Sequence, residues 1–268
     1  MKSIIFTIIS ILFLPHEIRS ADCTENDISQ FSVSSCTCRD SFHDCPTTCP
    51  LPGGCGPTPT PKLNTCDVGC TDANIDCNAC NLYFGGLCRC IRDRDCFHDG
   101  STDPWTLLHD KTLITTSHRI PGILELGADN RGWQLGQLAL KQGEGSTFDH
   151  GTLALNSVTS RTEDQVHIHV CDRPSSLLRD YLDKQMPGDF QSLKATDFEG
   201  AGFSKQEVRC QAAKTAQFNM AQLVTNYLMS LSPCDNFHVG AGLVNDKSGN
   251  TWGCITPHGS AEYLFCMN

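Results

Sequence analysis

Two histidines stand two residues apart in the segment QVHIHV, which spans residues 165–170. Side chains at positions i and i+2 of a β-strand point to the same face, so a strand here would place the imidazoles of His167 and His169 side by side. The residue types leave three interpretations open. The pair could be polar residues on the exposed face of a strand, two ligands of a metal ion, or the reacting groups of a phosphoryl-transfer site.

The two chemical interpretations make different demands on the rest of the chain. Imidazole is a good ligand for zinc and copper, but a metal site needs a third ligand, and none stands at a recognisable spacing from the pair. Phosphoryl transfer needs a neutral imidazole that attacks phosphorus and nearby donors that stabilise charge on the phosphate oxygens. This last interpretation predicts neither a metal ion nor a cofactor.

The strands and helices expected around the pair lie in residues 104–268. Segments rich in β-branched residues are predicted strands: 111–120, 150–157 and 165–170. Segments with apolar residues at helical spacing are predicted helices: 130–143, 173–188 and 204–230. Strands interspersed with helices and joined by short loops indicate an α+β domain, in which helices flank an antiparallel sheet.

Three local patterns refine this expectation. In the histidine segment, Val166, Ile168 and Val170 alternate with the histidines and should face the core. Ser204 and Glu207 have the spacing of a capping box and should open the longest helix. Residues 238–257 resemble a hairpin that turns at Lys-Ser-Gly-Asn, residues 247–250.

Residues 1–21 have the layout of a secretory signal peptide. Lys2 precedes an apolar run from Ile4 to Leu14, and small residues follow at Ser20 and Ala21. The run is too short to span a bilayer, and no later segment approaches the ~18 uninterrupted apolar residues of a membrane helix. We therefore expect a secreted, extracellular protein without a transmembrane segment.

Residues 22–103 are predicted to form a small module held by disulfides. Thirteen of the 18 cysteines lie between Cys23 and Cys96, among many Pro, Gly, Thr and Asp residues that cannot build a large apolar core. Five cysteines follow in the C-terminal region. Because both counts are odd, full pairing requires at least one bridge between the two regions. The module could bind a protein or glycan partner.

The charge of the chain limits its partners. Without residues 1–21, the chain carries 18 basic and 29 acidic side chains, and it contains no run of Lys or Arg. Such a chain is a poor candidate for binding nucleic acid or an anionic membrane surface. An anionic small substrate would have to be bound by local cations.

The segment LALNSVTSRTEDQVHIHVCDRP, residues 153–174, resembles the bacterial CDP-diacylglycerol pyrophosphatases, a branch of the histidine-triad (HIT-like) superfamily. The shared pattern is a strand ending in Asn-Ser, an Arg-Thr turn, a Gln-x-His-x-His strand and a following Arg-Pro. The likeness extends loosely over residues 105–268. It implies a HIT-like fold for this region and does not reach the cysteine-rich module.

The resemblance also implies roles for individual residues. His167 occupies the position of the nucleophile, His169 that of a donor to phosphate oxygens, and Gln165 replaces the first histidine of the triad. The implied substrate-binding residues include, besides Gln165, the following: Asn156, Arg161, Thr162, Arg173 and, as the upstream supporting histidine, His118 or His109. Cys171 follows the motif directly, and a disulfide there would tie down the active strand.

The function implied by the resemblance is hydrolysis of CDP-diacylglycerol to CMP and phosphatidate through a nucleotidyl-His167 intermediate, a step of phospholipid metabolism. The substrate would be a nucleotide-linked anionic small molecule or lipid. Two alternatives stay open. The chain could be a secreted, disulfide-rich binding protein on a non-hydrolytic scaffold, or a metal enzyme with histidine ligands.

Overall fold

The computed structural model describes residues 21, 23, 25–38, 82–118, 120, 122–145, 151–160, 165–171, 176–213, 217–258 and 260–266. The predicted signal peptide, except Ala21, lies outside the described residues, as does the middle of the cysteine-rich region. Three of the predicted substrate-binding residues also lie outside them: Arg161, Thr162 and Arg173.

Within the described residues, eight strands form one antiparallel sheet in the order β1-β2-β4-β3-β7-β8-β6-β5. The strands are β1 (Trp105–Leu107), β2 (Leu113–Thr116), β3 (Thr152–Leu155), β4 (Ile168–Cys171), β5 (Lys194–Ala195), β6 (Arg209–Ala213), β7 (Gly240–Asn245) and β8 (Thr251–Thr256). The helices are α1 (Glu25–Ser29), α2 (Leu82–Asp93), α3 (Arg131–Gln142), α4 (Ser176–Leu182), α5 (Met220–Leu228) and α6 (Ala261–Cys266). The α+β prediction with an antiparallel sheet is confirmed.

The two faces of the sheet carry separate apolar cores. Residues of α3 and α5 pack on one face, where Val166, Ile168 and Val170 are buried as their alternation predicts. Leu264 and Phe265 of α6 pack on the other face. Since both faces are covered, polar side chains of this sheet can be buried, and His167, which immediately precedes β4, is one of them.

Local signals predicted several elements well. Helix α3 lies within 130–143 and ends at Gly143, whose φ of 78° is left-handed and whose N–H donates to the carbonyls of Ala139 and Leu140. Strands β7 and β8 form the predicted hairpin. At its turn, the Asp246 carboxylate accepts hydrogen bonds from the backbone N–H groups of Ser248 and Asn250.

The long helix predicted for residues 204–230 is wrong. Glu207 does accept a hydrogen bond from the backbone N–H of Ser204, but the contact closes a turn. The chain then enters β6, which pairs with β8 in the register Cys210 to Cys254 and is bonded to it by a disulfide between these residues. Among the described residues of this segment, only α5 is an α-helix, because tertiary pairing of β6 overrides its local helical pattern.

Disulfides hold the N-terminal region, as predicted. They join Cys23 to Cys36, Cys38 to Cys88 and Cys90 to Cys96. In the C-terminal region, Cys171 is bonded to Cys266 in addition to the Cys210–Cys254 pair. Cys234 is also disulfide-bonded.

The N-terminal region does not stand apart from the sheet. Leu87 of α2 shares an apolar cluster with Leu108, which follows β1, and Leu113 of β2 packs against that cluster. Contacts therefore cross the predicted boundary at residues 103 and 104. None of the helices in the described ranges is long and apolar enough to cross a membrane.

Candidate functional site

His167 and His169 lie next to each other on one face of the sheet. Their ring centroids are 5.0 Å apart and the rings are inclined at 71°. His169 belongs to β4, whereas His167 immediately precedes the strand. His167 is only 4% exposed, which disfavours the interpretation of the pair as polar residues of an exposed strand.

A backbone contact orients the ring of His167. Its Nδ1 lies 2.8 Å from the carbonyl oxygen of Gln165. A carbonyl oxygen can only accept a hydrogen bond, so Nδ1 must carry the proton and donate it. In the neutral ring, Nε2 then holds the lone pair. This is the tautomer that a nucleophilic histidine requires.

The ring of His169 is largely enclosed, and its Nε2 makes no hydrogen bond among the described residues. Burial lowers the pKa of His169 from 6.5 to about 4, so the ring is neutral at pH 7. Its Nε2 lies 3.5 Å from Oε2 of Glu262, in an orientation that makes no hydrogen bond. At neutral pH, His169 can therefore donate only one ring N–H.

Asn156 connects this face of the sheet to helix α6. Its Oδ1 accepts hydrogen bonds from Ser260 Oγ, at 2.9 Å, and from the backbone N–H of Glu262, at 3.0 Å. Its Nδ2 donates to Glu262 Oε2 at 3.3 Å. The side chain thus caps the start of α6, a structural role, and one N–H of the amide is still available to a ligand.

We use the name histidine site for Asn156, Gln165, His167, His169 and Glu262. Gln165 is buried, and its Nε2 donates to the carbonyl of Thr116 at 3.0 Å. Its Oε1 has no hydrogen-bond partner among the described residues, and neither has His169 Nε2. Buried polar atoms without partners are expensive in a native fold. Besides the second N–H of Asn156, the histidine site therefore leaves one acceptor and one ring nitrogen without a hydrogen bond among the described residues.

The sequence missed Glu262 as a member of the site. Helix α6 has only six residues, and Glu262 is 106 positions away from Asn156 along the chain. The disulfide from Cys171 to Cys266 joins α6 to the strand that carries His169. The sequence alone contains no signal that Glu262 lies beside His169. The expectation that a disulfide at Cys171 would tie down the strand agrees with the Cys171–Cys266 bond.

The upstream histidines lie elsewhere. His118 is exposed and lines a groove between the N-terminal region and the sheet, and its side chain makes no hydrogen bond or ion pair with the histidine site among the described residues. His109 is also exposed, and its Nδ1 lies 3.4 Å from Asp95. The described residues therefore bring four of the predicted site residues together: Asn156, Gln165, His167 and His169.

The N-terminal region and α6 flank the histidine site on the same face of the sheet. Leu113 of β2 and Ala154 of β3 are both direct partners of His169 and share its face. Leu113 packs against the apolar cluster of the N-terminal region, whereas Ala154 lies in the cluster that contains Phe265 of α6. The histidines thus lie between two parts of the chain that are more than 150 residues apart in sequence.

The geometry does not favour the metal interpretation. Two groups of potential ligands come close enough to hold an ion within the described ranges: Cys23, Cys38 and Cys88, and Cys90, Asp95 and Cys96. Their cysteines are oxidised in disulfides and offer no thiolate. Neither group includes His167 or His169.

Comparison with protein-family models gave no match, and comparison with curated proteins gave no significant match. The resemblance to CDP-diacylglycerol pyrophosphatases contributes an expectation about the substrate.

Proposed function

We propose that this protein is a secreted hydrolase that cleaves the phosphoric anhydride bond of a nucleotide-linked substrate through a covalent intermediate on His167. The observation that carries the proposal is the 2.8 Å contact between His167 Nδ1 and the Gln165 carbonyl. That contact leaves Nε2 of the neutral ring with the lone pair needed for attack on phosphorus. The disulfides support an extracellular location.

The reaction would proceed in two displacements. Nε2 of His167 attacks the nucleotide phosphorus, a P–N bond forms, and the anhydride P–O bond breaks with its electron pair on the leaving phosphate. Water then attacks the same phosphorus and the P–N bond breaks, which returns the electron pair to Nε2. The proton of the water passes to the Glu262 carboxylate, the acidic group beside His169.

The neighbouring polar groups would stabilise charge on the phosphate oxygens. A neutral His169 donates one N–H, and the available N–H of Asn156 can donate a second. The resemblance assigns the cationic contacts to Arg161 and Arg173 and a further donor to Thr162. A bidentate arginine is the side chain best suited to a phosphate. CDP-diacylglycerol is the substrate that the resemblance implies.

The experiment is release of CMP from CDP-diacylglycerol and from CDP-choline by the purified, oxidised mature protein. We expect His167→Ala to reduce turnover at least a thousandfold, and His258→Ala, an exposed histidine beside Glu207, to leave it unchanged. Because the buried His167 could also matter for folding, exogenous imidazole should restore turnover to His167→Gly. A cytidylyl adduct on His167 should be detectable by mass spectrometry after rapid quenching.

Two outcomes would contradict the proposal. One is full activity of a correctly folded His167→Ala protein. The other is absence of turnover on every nucleotide anhydride by protein whose folding and disulfides are verified, which would favour a binding function instead.

A further inference from the structure

A groove of about 650 Å³ lies between the N-terminal region and the sheet. Phe31, Ile91 and Arg94 line it from the N-terminal side, and Pro104, Thr106 and Arg131 from the side of the sheet. Its size falls within the range of small-molecule pockets, roughly 300–1,000 Å³. We call this cavity the interface groove. Nothing in the proposed hydrolysis uses it.

The interface groove is basic although the chain as a whole is acidic. The whole chain has a formal charge of −10. The groove, in contrast, is lined by four basic side chains and one acidic side chain: Arg94, His98, His118 and Arg131, and Asp103. Arg131 is engaged by Asp129 at 2.8 Å. His98 lies 4.0 Å from Asp103.

Two of the basic groups remain available to a ligand. The side chains of Arg94 and His118 make no hydrogen bond or ion pair with any residue that the structure describes. Both residues are exposed. A guanidinium with no carboxylate partner, at the edge of a concave surface, is a binding site for an anionic group.

The rest of the interface groove is apolar. The ring of Phe31 is 58% exposed, one of the largest apolar exposures among the described residues, and Ile91 and Pro104 are half-buried beside it. An exposed aromatic side chain in a concave site is typical of a surface that contacts a ligand. The ligand should therefore combine an anionic group with an apolar body.

The backbone supports a role for two of these side chains. Phe31 and Arg94 follow the ends of α1 and α2 with φ angles of 54° and 56°, in the left-handed region. Helices that end in this conformation usually place glycine there, because a Cβ atom is disfavoured. The chain instead retains a large aromatic and a cationic side chain at these positions, and both line the interface groove. Strained positions of this kind concentrate at functional sites.

We propose that the interface groove binds a small amphiphilic anion, with its charged group on Arg94 and His118 and its apolar body against Phe31 and Ile91. Thr106 of the interface groove lies on the same sheet face as the histidines. Thr106 pairs with Thr115, and the register of Leu113 with His169 places Thr115 opposite His167, so Thr106 and His167 are about 10 Å apart across two strand spacings. Binding does not depend on nucleophilic attack by His167.

The test is titration of the oxidised mature protein with octyl phosphate, octyl glucoside and inorganic phosphate by calorimetry, below the micelle concentration. We expect octyl phosphate to bind at least tenfold more tightly than either of the other two, since each lacks one of the recognised parts. Arg94→Gly should weaken the binding of octyl phosphate at least tenfold. Its melting temperature should stay the same or rise, because glycine adopts the left-handed φ of this position without strain.

Lys111→Gly is the matched control. Lys111 is also a basic residue with a left-handed φ, 60°, but it lies outside the interface groove and pairs with Glu144. This variant should bind octyl phosphate as the unmodified protein does. Equal binding of octyl glucoside, no binding of octyl phosphate, or equal losses in the two glycine variants would each overturn the proposal.

Discussion

Cys171 and Cys266 form a disulfide that joins strand β4 to helix α6, with a Cα–Cα distance of 5.3 Å. Cys171 is two residues from His169, and Cys266 is four residues from Glu262. The bond therefore holds together the two elements whose side chains meet in the histidine site. It closes a loop of 95 residues, so it also restricts the unfolded chain strongly.

Removing this disulfide should impair both stability and the histidine site. For Cys171→Ser combined with Cys266→Ser, we expect a loss on the order of 4 kcal/mol in the free energy of unfolding. We also expect lower hydrolysis per folded molecule, because Glu262 is no longer held beside His169. The matched control is Cys210→Ser with Cys254→Ser, which breaks the bond between β6 and β8 away from the site. Equal loss of activity per folded molecule in both proteins would contradict the role of the Cys171 bond.

Acidification should destabilise the protein through His169. The folded ring binds a proton only near pH 4, whereas the unfolded ring does so near 6.5, so the unfolded state takes up more protons between these values. The contribution of the neutral His169 ring to the free energy of unfolding is fully present above pH 6.5. As the pH falls toward 4, the free energy of unfolding decreases by roughly 3 kcal/mol. Denaturant unfolding at pH 7.5 and pH 4.5 measures it. In the His169→Gln variant, the free energy of unfolding should depend less on pH. In the control His109→Gln, which replaces an exposed histidine, the pH dependence should be unchanged.

A methyl group at Gly242 should disturb the packing of α6 on β7. The Cβ of an alanine there would overlap the ring of Phe265, which packs directly on β7. We expect Gly242→Ala to lower the free energy of unfolding by about 1–3 kcal/mol, the usual effect of overpacking. Gly100→Ala is the control, since its Cβ would meet no atom within 4 Å. Thermal unfolding of both variants provides the comparison. Equal melting temperatures would argue against close packing of Phe265 on Gly242.

Asn156 should contribute to stability through the start of α6. Asn156→Ala removes the acceptor of two hydrogen bonds in a buried position and leaves the Glu262 N–H without a partner. The expected loss in unfolding free energy is about 2 kcal/mol. Asn219→Ala, which removes an exposed cap from α5, should lose about 1 kcal/mol or less. A smaller loss for Asn156→Ala than for Asn219→Ala, by chemical denaturation, would mean that the cap is not buried in solution.

Elements with strong local signals were predictable. The alternation of Val166, Ile168 and Val170 follows from the two-residue period of a strand, which depends only on backbone geometry. Gly143 ends α3 because a left-handed residue is needed there, and the hairpin of β7 and β8 turns within a short polar segment. Each of these features is determined by neighbours in sequence.

Elements that depend on distant partners were not predictable. Residues Arg209–Ala213 have a helical pattern, yet they pair with β8, 44 positions further along at Cys254. Helix α6 is too short to be recognised from its residues, and its position depends on Asn156 and on Cys171. Short-range propensities differ by less than 1 kcal/mol per residue, so a disulfide and sheet hydrogen bonds outweigh them.

The sequence by itself determined that the chain is disulfide-rich, that an α+β region follows the cysteine-rich one, and that His167 and His169 share a face. These follow from composition and from periods of a few residues. Only the tertiary structure decided that the His167 ring is buried with its Nδ1 on a carbonyl, that Glu262 lies beside His169, and that the N-terminal region adjoins the same face. The carbonyl belongs to Gln165, two positions away, but the other relationships join residues tens of positions apart. The packing of the whole sheet, rather than a local preference of the chain, brings those residues together.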